Sequence, residues 1–422
     1  MAKSTASKKT DTPARPEGIT KISVAGFKSI VEEQSIEVRP LTILAGANSS
    51  GKSSIMQPLL LLKQTLEASY DPGALRLDGP NVRFTSADQF LSHTGRGKNT
   101  DVFTIRIDSD GNQSLTTSYK KQPGKLIEVQ KSVFINNGET TVLRGDMPSN
   151  EIKPAVPSSL MNQINEFLRL FIPNVGDNIY RFIRELIHIP GLRGNPERTY
   201  VVAAVGETFP GTFENYAASV IAKWQTEEDN DKLQGVSQDL GELCLTSKVS
   251  AIPLNDTQVE LRVARLPQNG KGSDMVSIAD VGLGVSQTLP VVVALREARP
   301  GQLVYLEQPE IHLHPRAQTA MAKVLADAAR RGVHVVAETH SALLILGIQT
   351  LVAEGKLAPE LVKLHWFERR NGATTIKSAD LDEAGSFGDW PEDFADIELE
   401  AQSKYLDAVE ARASRGKRRR AG

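Results

Sequence analysis

The chain has 422 residues, of which 49 are Lys or Arg and 51 are Asp or Glu, so its formal net charge is −2 and no overall positive field marks it as a nucleic-acid or membrane-surface protein. The one cysteine, Cys244, excludes an intrachain disulfide and fits a reducing compartment. No long apolar run predicts a membrane span, and residues 1–18 lack the apolar segment of a secretory signal, so we expect a cytoplasmic protein with no membrane partner.

The N-terminal part of the chain predicts a tail, half of a nucleotide-binding core and a β lobe. Residues 1–17 are rich in Lys, Thr, Ser and Pro, which predicts a disordered tail. Residues 18–105 predict two strands and a Gly-rich loop that opens an apolar helix near Lys52, as in the first half of an ATPase core. Alternating stretches separated by turn sequences such as "SDGNQ" and "INNGE" predict an antiparallel β lobe over 106–150.

The rest of the chain returns to alternating strands and helices. Residues 151–274 predict a helical insertion with return strands, and their first helix is expected over 157–175. Residues 275–377 predict the second half of the core, followed by a C-terminal segment over 378–405 and a basic tail over 406–422. The sequence therefore predicts an α/β protein with a mostly parallel sheet core, an antiparallel β lobe and a helical insertion.

A phosphate-binding loop is the most specific motif in the chain. "GANSSGKS" fits the pattern GxxxxGK[ST], with an apolar strand before it and a helix after it. The glycines let backbone N–H groups and the helix N-terminus point at phosphate, Lys52 is expected to reach the β- and γ-phosphates, and the Ser53 hydroxyl to coordinate Mg²⁺. The motif predicts ATP and Mg²⁺ as cofactors, with a loop contributed by Gly46, Asn48, Ser49, Ser50, Gly51, Lys52, Ser53 and Ser54.

Four motifs in the C-terminal half follow one another in the order and spacing of ABC-type ATPases. "ADVGLGVSQ" precedes a helix, "LEQPE" ends an apolar strand, "HLHP" follows it and "ETHS" ends the next strand. The chain resembles the ABC-type P-loop ATPases, the class that includes SMC, RecF-like and OLD-family proteins. The resemblance implies that the four segments are the signature, Walker B, D-loop and switch-histidine motifs.

Four segments narrow the resemblance to one branch of this class: "FKSI", "GANSSGKSS", "PEIHLHPRAQ" and "VVAETHS". These segments are similar to the OLD-like branch found in prokaryotic anti-phage systems such as PARIS and Septu, and the likeness covers residues 18–105 and 189–396. OLD nucleases carry a C-terminal Toprim domain, for which the about 80 residues after "ETHS" are too few. The resemblance thus implies a sensor or regulator in defence that controls a separate effector protein, a nuclease or toxin.

The resemblance also implies an ATP-dependent homodimer or higher homo-oligomer. In this class the phosphate loop of one subunit and the signature of the other close on one ATP. Gly282 and Gly284 would let backbone N–H groups approach the γ-phosphate, and Ser286 would either donate to it or cap the helix that follows. His340 would hydrogen-bond the γ-phosphate from the end of its strand.

The metal side of the site is expected to involve Ser53, Glu307 and Gln89. Glu307 takes the position of the Walker B carboxylate, which orders a Mg²⁺-bound water. Gln89 is the candidate for a Q-loop glutamine. Lys28, Arg193 and Arg198 could add positive charge near phosphate, although each is expected to be an ordinary scaffold or surface residue.

Gln308 stands where the usual pattern has a water-activating Glu. An amide cannot take a proton, but its carbonyl oxygen can hold a water, and phosphoryl transfer depends more on positioning and charge than on a base. Our leading hypothesis is slow hydrolysis, with ATP chiefly holding a closed dimer. The alternatives are that Glu310 supplies the carboxylate, or that the site binds ATP without turnover.

A second class of function fits the same motifs. A RecF- or SMC-like ATPase in DNA repair or chromosome maintenance would bind duplex DNA in a groove formed by the dimer, which composition does not reveal. No heptad pattern continues long enough for a coiled-coil arm, which counts against SMC-type proteins but not against RecF.

Overall fold

The computed structural model describes four stretches of the chain, residues 17–94, 98–145, 177–265 and 274–388. The predicted helix over 157–175, the basic tail over 406–422 and residues 1–16 of the predicted tail lie outside the described residues. The predicted segment over 378–405 is described only for its residues up to 388.

The described residues form the following helices and strands, numbered in chain order. The helices are α1 (Lys52–Leu66), α2 (Asp177–Glu185), α3 (Ala217–Thr226), α4 (Asn230–Glu242), α5 (Leu283–Glu297), α6 (Pro315–Arg330) and α7 (Ala342–Ala353). The strands are β1 (Ile19–Ala25), β2 (Gln34–Glu37), β3 (Leu41–Gly46), β4 (His93–Thr94), β5 (Lys98–Asn99), β6 (Val102–Ser109), β7 (Gln113–Lys121), β8 (Ile127–Asn136), β9 (Glu139–Arg144), β10 (Ile187–Ile189), β11 (Tyr200–Val201), β12 (Val249–Asn255), β13 (Gln258–Ala264), β14 (Met275–Ser277), β15 (Leu303–Glu307), β16 (His334–Thr339), β17 (Val362–Arg370) and β18 (Ala373–Ala379).

A six-stranded, mostly parallel sheet forms the centre, in the order β10-β15-β16-β3-β17-β18. Only the pair β17 and β18 is antiparallel. Every residue of β3 and β16 is buried, as expected for strands that are covered on both faces. The predicted mostly parallel core is confirmed, and β16 lies between β15 and β3.

A second six-stranded sheet is antiparallel, in the order β2-β1-β6-β7-β8-β9. The meander of β6 to β9 therefore extends a sheet that β1 and β2 begin, and it starts at Val102, before the predicted lobe boundary at residue 106. Ile22, Ile36, Ile105 and other apolar residues of this sheet pack against α1 in one hydrophobic cluster. The antiparallel sheet thus covers one face of the parallel sheet through the helix that follows the phosphate loop.

The opposite face of the parallel sheet is covered by α3 to α7 and by a small antiparallel sheet. That sheet has the order β11-β13-β12, with β14 paired to β13. Residues 285–295 of α5 are buried, so this helix lies inside the layer. In the described stretches, no helix is both long enough and apolar enough to cross a membrane.

Candidate functional site

The phosphate loop joins β3 to α1 through backbone conformations that favour glycine. Gly46 and Gly51 have φ values of 143° and 102°. A Cβ at Gly46 would lie 2.4 Å from the carbonyl oxygen of Phe367, and one at Gly51 would lie 2.4 Å from Thr374 Oγ1. Both glycines are therefore required by backbone conformation and by close packing.

The β17–β18 hairpin stabilises this loop through hydrogen bonds from Thr374. The Thr374 hydroxyl donates to the Ser50 carbonyl at 2.7 Å and lies 2.8 Å from Ser29 Oγ, while the Thr374 N–H donates to the Ser29 carbonyl at 2.7 Å. Ser50 is buried, and its own hydroxyl has no hydrogen-bond partner. One threonine on the hairpin thus fixes both the phosphate loop and the "FKSI" turn.

The loop opens into a cavity of about 710 Å³, a size typical of small-molecule sites. The predicted residues that line it are Asn48, Ser49, Gly51, Lys52, Ser53, Ser54, Gln89, Gln308 and His340. The other lining residues are Lys28, Ser29, Gln57, Leu91, His93, Glu338, Arg369 and Gly372. The structure therefore brings the phosphate loop and the ends of β15 and β16 around one space.

Lys52 and the start of α1 provide positive charge and free N–H groups. Lys52 Nζ donates to the carbonyl oxygens of Gly46 and Ala47, both at 2.9 Å. Burial lowers the pKa of Lys52, although the charges of Glu338 and Glu310 act in the opposite direction. The N-cap residue Gly51 offers no side-chain cap, so the first N–H groups of α1 are available to an anion.

Glu338, at the penultimate position of β16, lies directly beside the phosphate-loop serine. Ser53 Oγ donates to Glu338 Oε2 at 3.0 Å, and the Tyr305 hydroxyl donates to Glu338 Oε1 at 2.5 Å. Burial, reinforced by the charge of Glu307, raises the pKa of Glu338 to about 7. A hydroxyl and a carboxylate at this separation are oxygen donors of the kind that Mg²⁺ prefers, with waters completing its shell.

Glu307 lies one strand farther from the phosphate loop and does not line the cavity. Its Oε1 is 3.1 Å from His188 Nε2, and its Oε2 accepts from the Gly191 N–H at 3.1 Å. His188 is buried, stacks on Tyr305 and has Asn81 Oδ1 3.0 Å from its Nδ1. Burial raises the pKa of Glu307, but the His188 hydrogen bond and charge, the Gly191 N–H and Arg193 lower it more, so the net shift is downward.

Gln308 lines the cavity and has a left-handed backbone, with φ of 47°. This conformation costs a non-glycine residue roughly 1–3 kcal/mol and persists only where the surroundings hold it. The Gln308 N–H donates to the Glu338 carbonyl at 2.9 Å, and its carbonyl accepts from Arg193 Nη2 at 3.2 Å and from the Ile311 N–H at 3.1 Å. Three hydrogen bonds therefore fix the backbone of Gln308 at the end of β15.

Glu310 and His340 contact each other on the far side of this turn. Glu310 is buried outside the cavity lining, and its Oε1 accepts from the Thr339 hydroxyl at 2.6 Å and from the His340 N–H at 3.2 Å. Its Oε2 is buried without a hydrogen-bond partner, and burial raises the pKa of the carboxyl. Burial, followed by the charge of Lys52, lowers the pKa of His340, which favours a neutral imidazole in the cavity.

The signature segment lies outside this cavity. Gly282 is the N-cap of α5, it is exposed, and a Cβ there would meet no atom within 4 Å. Ser286 is buried, and its hydroxyl donates to the Leu283 carbonyl at 3.2 Å. A Cβ at Gly284 would lie 3.3 Å from the Leu245 side chain, which would have to shift slightly, whereas a Cβ at Gly282 has open space around it.

The remaining candidates take different positions. Gln89 lines the cavity, but both atoms of its amide are bound to Thr85. Lys28 also lines the cavity, with Nζ 4.9 Å from the Phe84 ring centre, and burial lowers its pKa. Arg198 is exposed and pairs with Asp280, which belongs to the signature segment.

Sequence reasoning assigned no role to Glu338, Arg369 or Thr374. Glu338 stands in the quoted "ETHS" motif, and the signal that could have singled it out is a carboxylate directly after the apolar run Val335–Ala337. Arg369 and Thr374 reach the site only because the β17–β18 hairpin lies beside β3, a pairing across more than 300 residues that no local pattern predicts.

Two family models match parts of the chain. Residues 18–154 match a family model described as "AAA ATPase domain", and residues 248–346 match one described as "AAA domain, putative AbiEii toxin, Type IV TA system". A search of curated proteins finds no match.

Among solved structures, the chain is similar to heads of SMC proteins. An SMC head bound to the C-winged helix domain of ScpA is 14% identical, with a TM-score of 0.50, and the match covers 87% of this chain and 99% of that one. The SMC head domain from Thermotoga maritima is 10% identical, with a TM-score of 0.42 and coverage of 85% and 98%. An SMC head with an extended coiled coil, derived from Pyrococcus furiosus, is 12% identical, with a TM-score of 0.48 and coverage of 93% and 100%.

The fold and the matched family models agree on the type of domain. The chain has the α/β fold of an SMC-like, ABC-type P-loop ATPase, and the predicted fold class is confirmed. Both matched models describe domains of the AAA type, one of them an ATPase domain by name.

Proposed function

We propose that the protein binds ATP with Mg²⁺ in this cavity and hydrolyses it slowly at the interface of an ATP-dependent homodimer. The observation that carries the proposal is the single cavity in which Lys52, Ser53 and Glu338 meet Gln308 and His340. An ATP-gated dimer suits a sensor or regulator of a separate effector protein. We place that role in anti-phage defence, as the OLD-like motifs indicate.

The residues divide the work by position. Lys52 and the N–H groups of α1 would bind the phosphates, and Ser53 with Glu338 would hold Mg²⁺, which when bound neutralises charge on the reacting phosphate. His340 would donate an N–H to the γ-phosphate, and Gln308 would orient a water through its side-chain oxygen. Since Gln308 takes no proton, the geometry supports slow turnover in which positioning provides most of the catalysis.

A nucleotide-turnover experiment tests this division. We expect wild-type protein to bind ATP only with Mg²⁺, to shift from monomer to dimer in light scattering, and to release phosphate well below the ordinary enzyme median of about 10 per second. Gln308→Glu should speed hydrolysis by adding a base, while Glu310→Gln should change it little because Glu310 is buried behind Thr339.

Other outcomes would redirect the proposal. A fast wild-type rate that Gln308→Glu leaves unchanged and Glu310→Gln abolishes would assign the water to Glu310. ATP binding without any phosphate release would leave a nucleotide-binding switch that does not turn over.

The defence role has its own test, which uses the full chain in its native host. A tagged wild-type chain should copurify a specific second protein and protect against phage only when that protein is encoded. Lys52→Met should abolish protection because it removes the phosphate-binding cation. Protection by this chain alone would contradict the separate effector.

One comparison favours a second candidate function. The SMC head with which the chain shares its fold was solved bound to the C-winged helix domain of ScpA. If the protein is instead a DNA repair or chromosome-maintenance ATPase, duplex DNA should bind in an ATP-dependent way and weaken steeply with salt. Binding that ATP does not change would count against this alternative.

A further inference from the structure

Arg193 lies in the short segment between β10 and β11 and is buried outside the ATP cavity. Only 4% of the residue is exposed, and it does not line that cavity. Burial lowers the pKa of Arg193 to about 10, although the charge of Glu214 acts in the opposite direction, so Arg193 remains a cation at neutral pH. A cation in such a place needs a structural reason.

Its guanidinium connects two elements of the core. Nη1 donates to the Gln287 carbonyl in α5 at 3.1 Å, and Nη2 donates to the carbonyls of Glu307 at 2.8 Å and Gln308 at 3.2 Å. The side chain of Gln287 forms a second link between α5 and the segment that contains Arg193, because its Nε2 donates to the Gly194 carbonyl at 2.9 Å. The planar fork of arginine can span both elements, which the single ammonium of lysine cannot.

One end of this connection is the residue that we propose orients the water. Gln308 has a left-handed backbone, and Arg193 is one of three hydrogen-bond partners that hold it. A shift of the guanidinium would change the backbone of Gln308 and hence the direction of its side chain in the cavity.

The other end is a helix whose N-terminus faces outward. Gln287 lies about one turn after Leu283, the first residue of α5, and Leu283 is 44% exposed. Gly282 before it is exposed and has no atom of its own subunit within 4 Å of a Cβ position. A contact made at this end of α5 would therefore act on a largely buried helix that Arg193 joins to the backbone of Glu307 and Gln308.

We propose that Arg193 is a positioning residue that couples the exposed N-terminus of α5 to the conformation of Gln308. This rests on the proposed function and on the resemblance, which implies that the signature segment at the α5 N-terminus of one subunit meets the ATP of the other. Dimer closure then moves or fixes α5, Arg193 transmits the change, and Gln308 reaches the orientation that supports hydrolysis. The dimer is active because its signature end is engaged, and the monomer is inactive because α5 is not fixed.

Arg193→Lys tests the coupling, because lysine keeps the charge and loses the fork. We expect unchanged ATP affinity and unchanged ATP-dependent dimerisation, with hydrolysis per site at saturating ATP reduced about 10-fold, the scale of residues that orient a catalytic group. In the wild type, hydrolysis per site should rise with protein concentration as dimers form, and in Arg193→Lys this rise should be absent.

Arg296→Lys is the matched control. Arg296 lies in the last turn of the same helix and binds Asp239 through Nε at 2.6 Å and Nη2 at 2.5 Å, at the opposite end of the helix from Gln287. It should lower the thermal midpoint and leave the rise in hydrolysis intact. Gln287→Leu removes the return hydrogen bond to Gly194 and should weaken the rise in a chain that keeps Arg193.

The outcomes separate this proposal from the proposed function. A wild type that neither dimerises with ATP nor hydrolyses it contradicts both. A wild type that does both, beside an Arg193→Lys variant whose hydrolysis still rises on dimerisation, overturns the coupling alone. A loss in Arg193→Lys that Arg296→Lys reproduces also overturns it, since the effect is then general destabilisation.

Discussion

Glu307 and Glu338 occupy paired positions at the ends of neighbouring parallel strands, yet they face different surroundings. Glu338 is beside Ser53 and Tyr305, within the cavity lining. Glu307 is outside the lining and contacts His188 and Gly191 on the opposite side. The difference follows from strand order, because β16 lies between β15 and the phosphate-loop strand β3.

The comparison shows that a sequence motif can identify the strand end that lies at the site without identifying the side chain that binds the metal. Glu307 matches the Walker B position in sequence, and Glu338 is one strand nearer to the serine that is expected to bind the metal. The two carboxyls also differ in their pKa shifts, which are downward for Glu307 and upward for Glu338. We therefore expect Glu338 to bind the metal, and we expect Glu307 to stabilise the neighbouring strand end through its contacts with His188 and Gly191.

The largest effect is expected from Glu338→Gln. The amide keeps the shape and the contact with Tyr305, but it removes the charge beside Ser53, so Mg²⁺-dependent hydrolysis should fall roughly 100-fold or more. Phosphate release measured over a range of Mg²⁺ concentrations checks this, because part of the loss should be recovered at high Mg²⁺. A variant within twofold of wild type at all concentrations would show that Glu338 has no role in metal binding.

A smaller effect is expected from Glu307→Gln. If Glu307 supports the site through His188 and the Arg193-bound strand end, its loss should cost about 10-fold in hydrolysis, the scale of outer-shell partners. His188→Gln should cost a similar factor, and the pair should be less than additive, because the two side chains form one contact. A loss larger in Glu307→Gln than in Glu338→Gln would reverse the comparison and return the metal to the Walker B position.

Local pattern predicted the phosphate loop and the alternation of strands and helices, because both depend on neighbours in the chain. The sequence singles out the loop residues Asn48 to Ser54 and the strand-end residues Gln308 and His340, and most of them line one cavity. Partners that come from pairing across the chain were not predicted. Thr374 reaches the loop through a hairpin more than 300 residues away, and Glu338 acquires its neighbour only from strand order.

The smallest effect concerns the pH dependence of stability in the metal-free and nucleotide-free protein. For Glu338 the folded-state pKa, about 7, is above the ordinary value of 4.5, so the native state holds a proton that the unfolded chain has lost between these pH values. Its contribution to stability is full below pH 4.5 and is lost as pH rises through 7. For Glu307 the folded-state pKa is lowered, so its contribution is present above pH 4.5 and is lost as pH falls through the folded-state pKa.

Thermal unfolding in chelator checks both signs on one pH series. The midpoint of the wild type minus that of Glu338→Gln should decrease by about 1–4 °C between pH 5 and pH 7.5. The midpoint of the wild type minus that of Glu307→Gln should instead decrease as pH falls from 5 toward 3. If both differences are flat, or share one sign, the two carboxyls are not distinguished by their surroundings, and the contrast between a metal-side Glu338 and a supporting Glu307 loses its electrostatic basis.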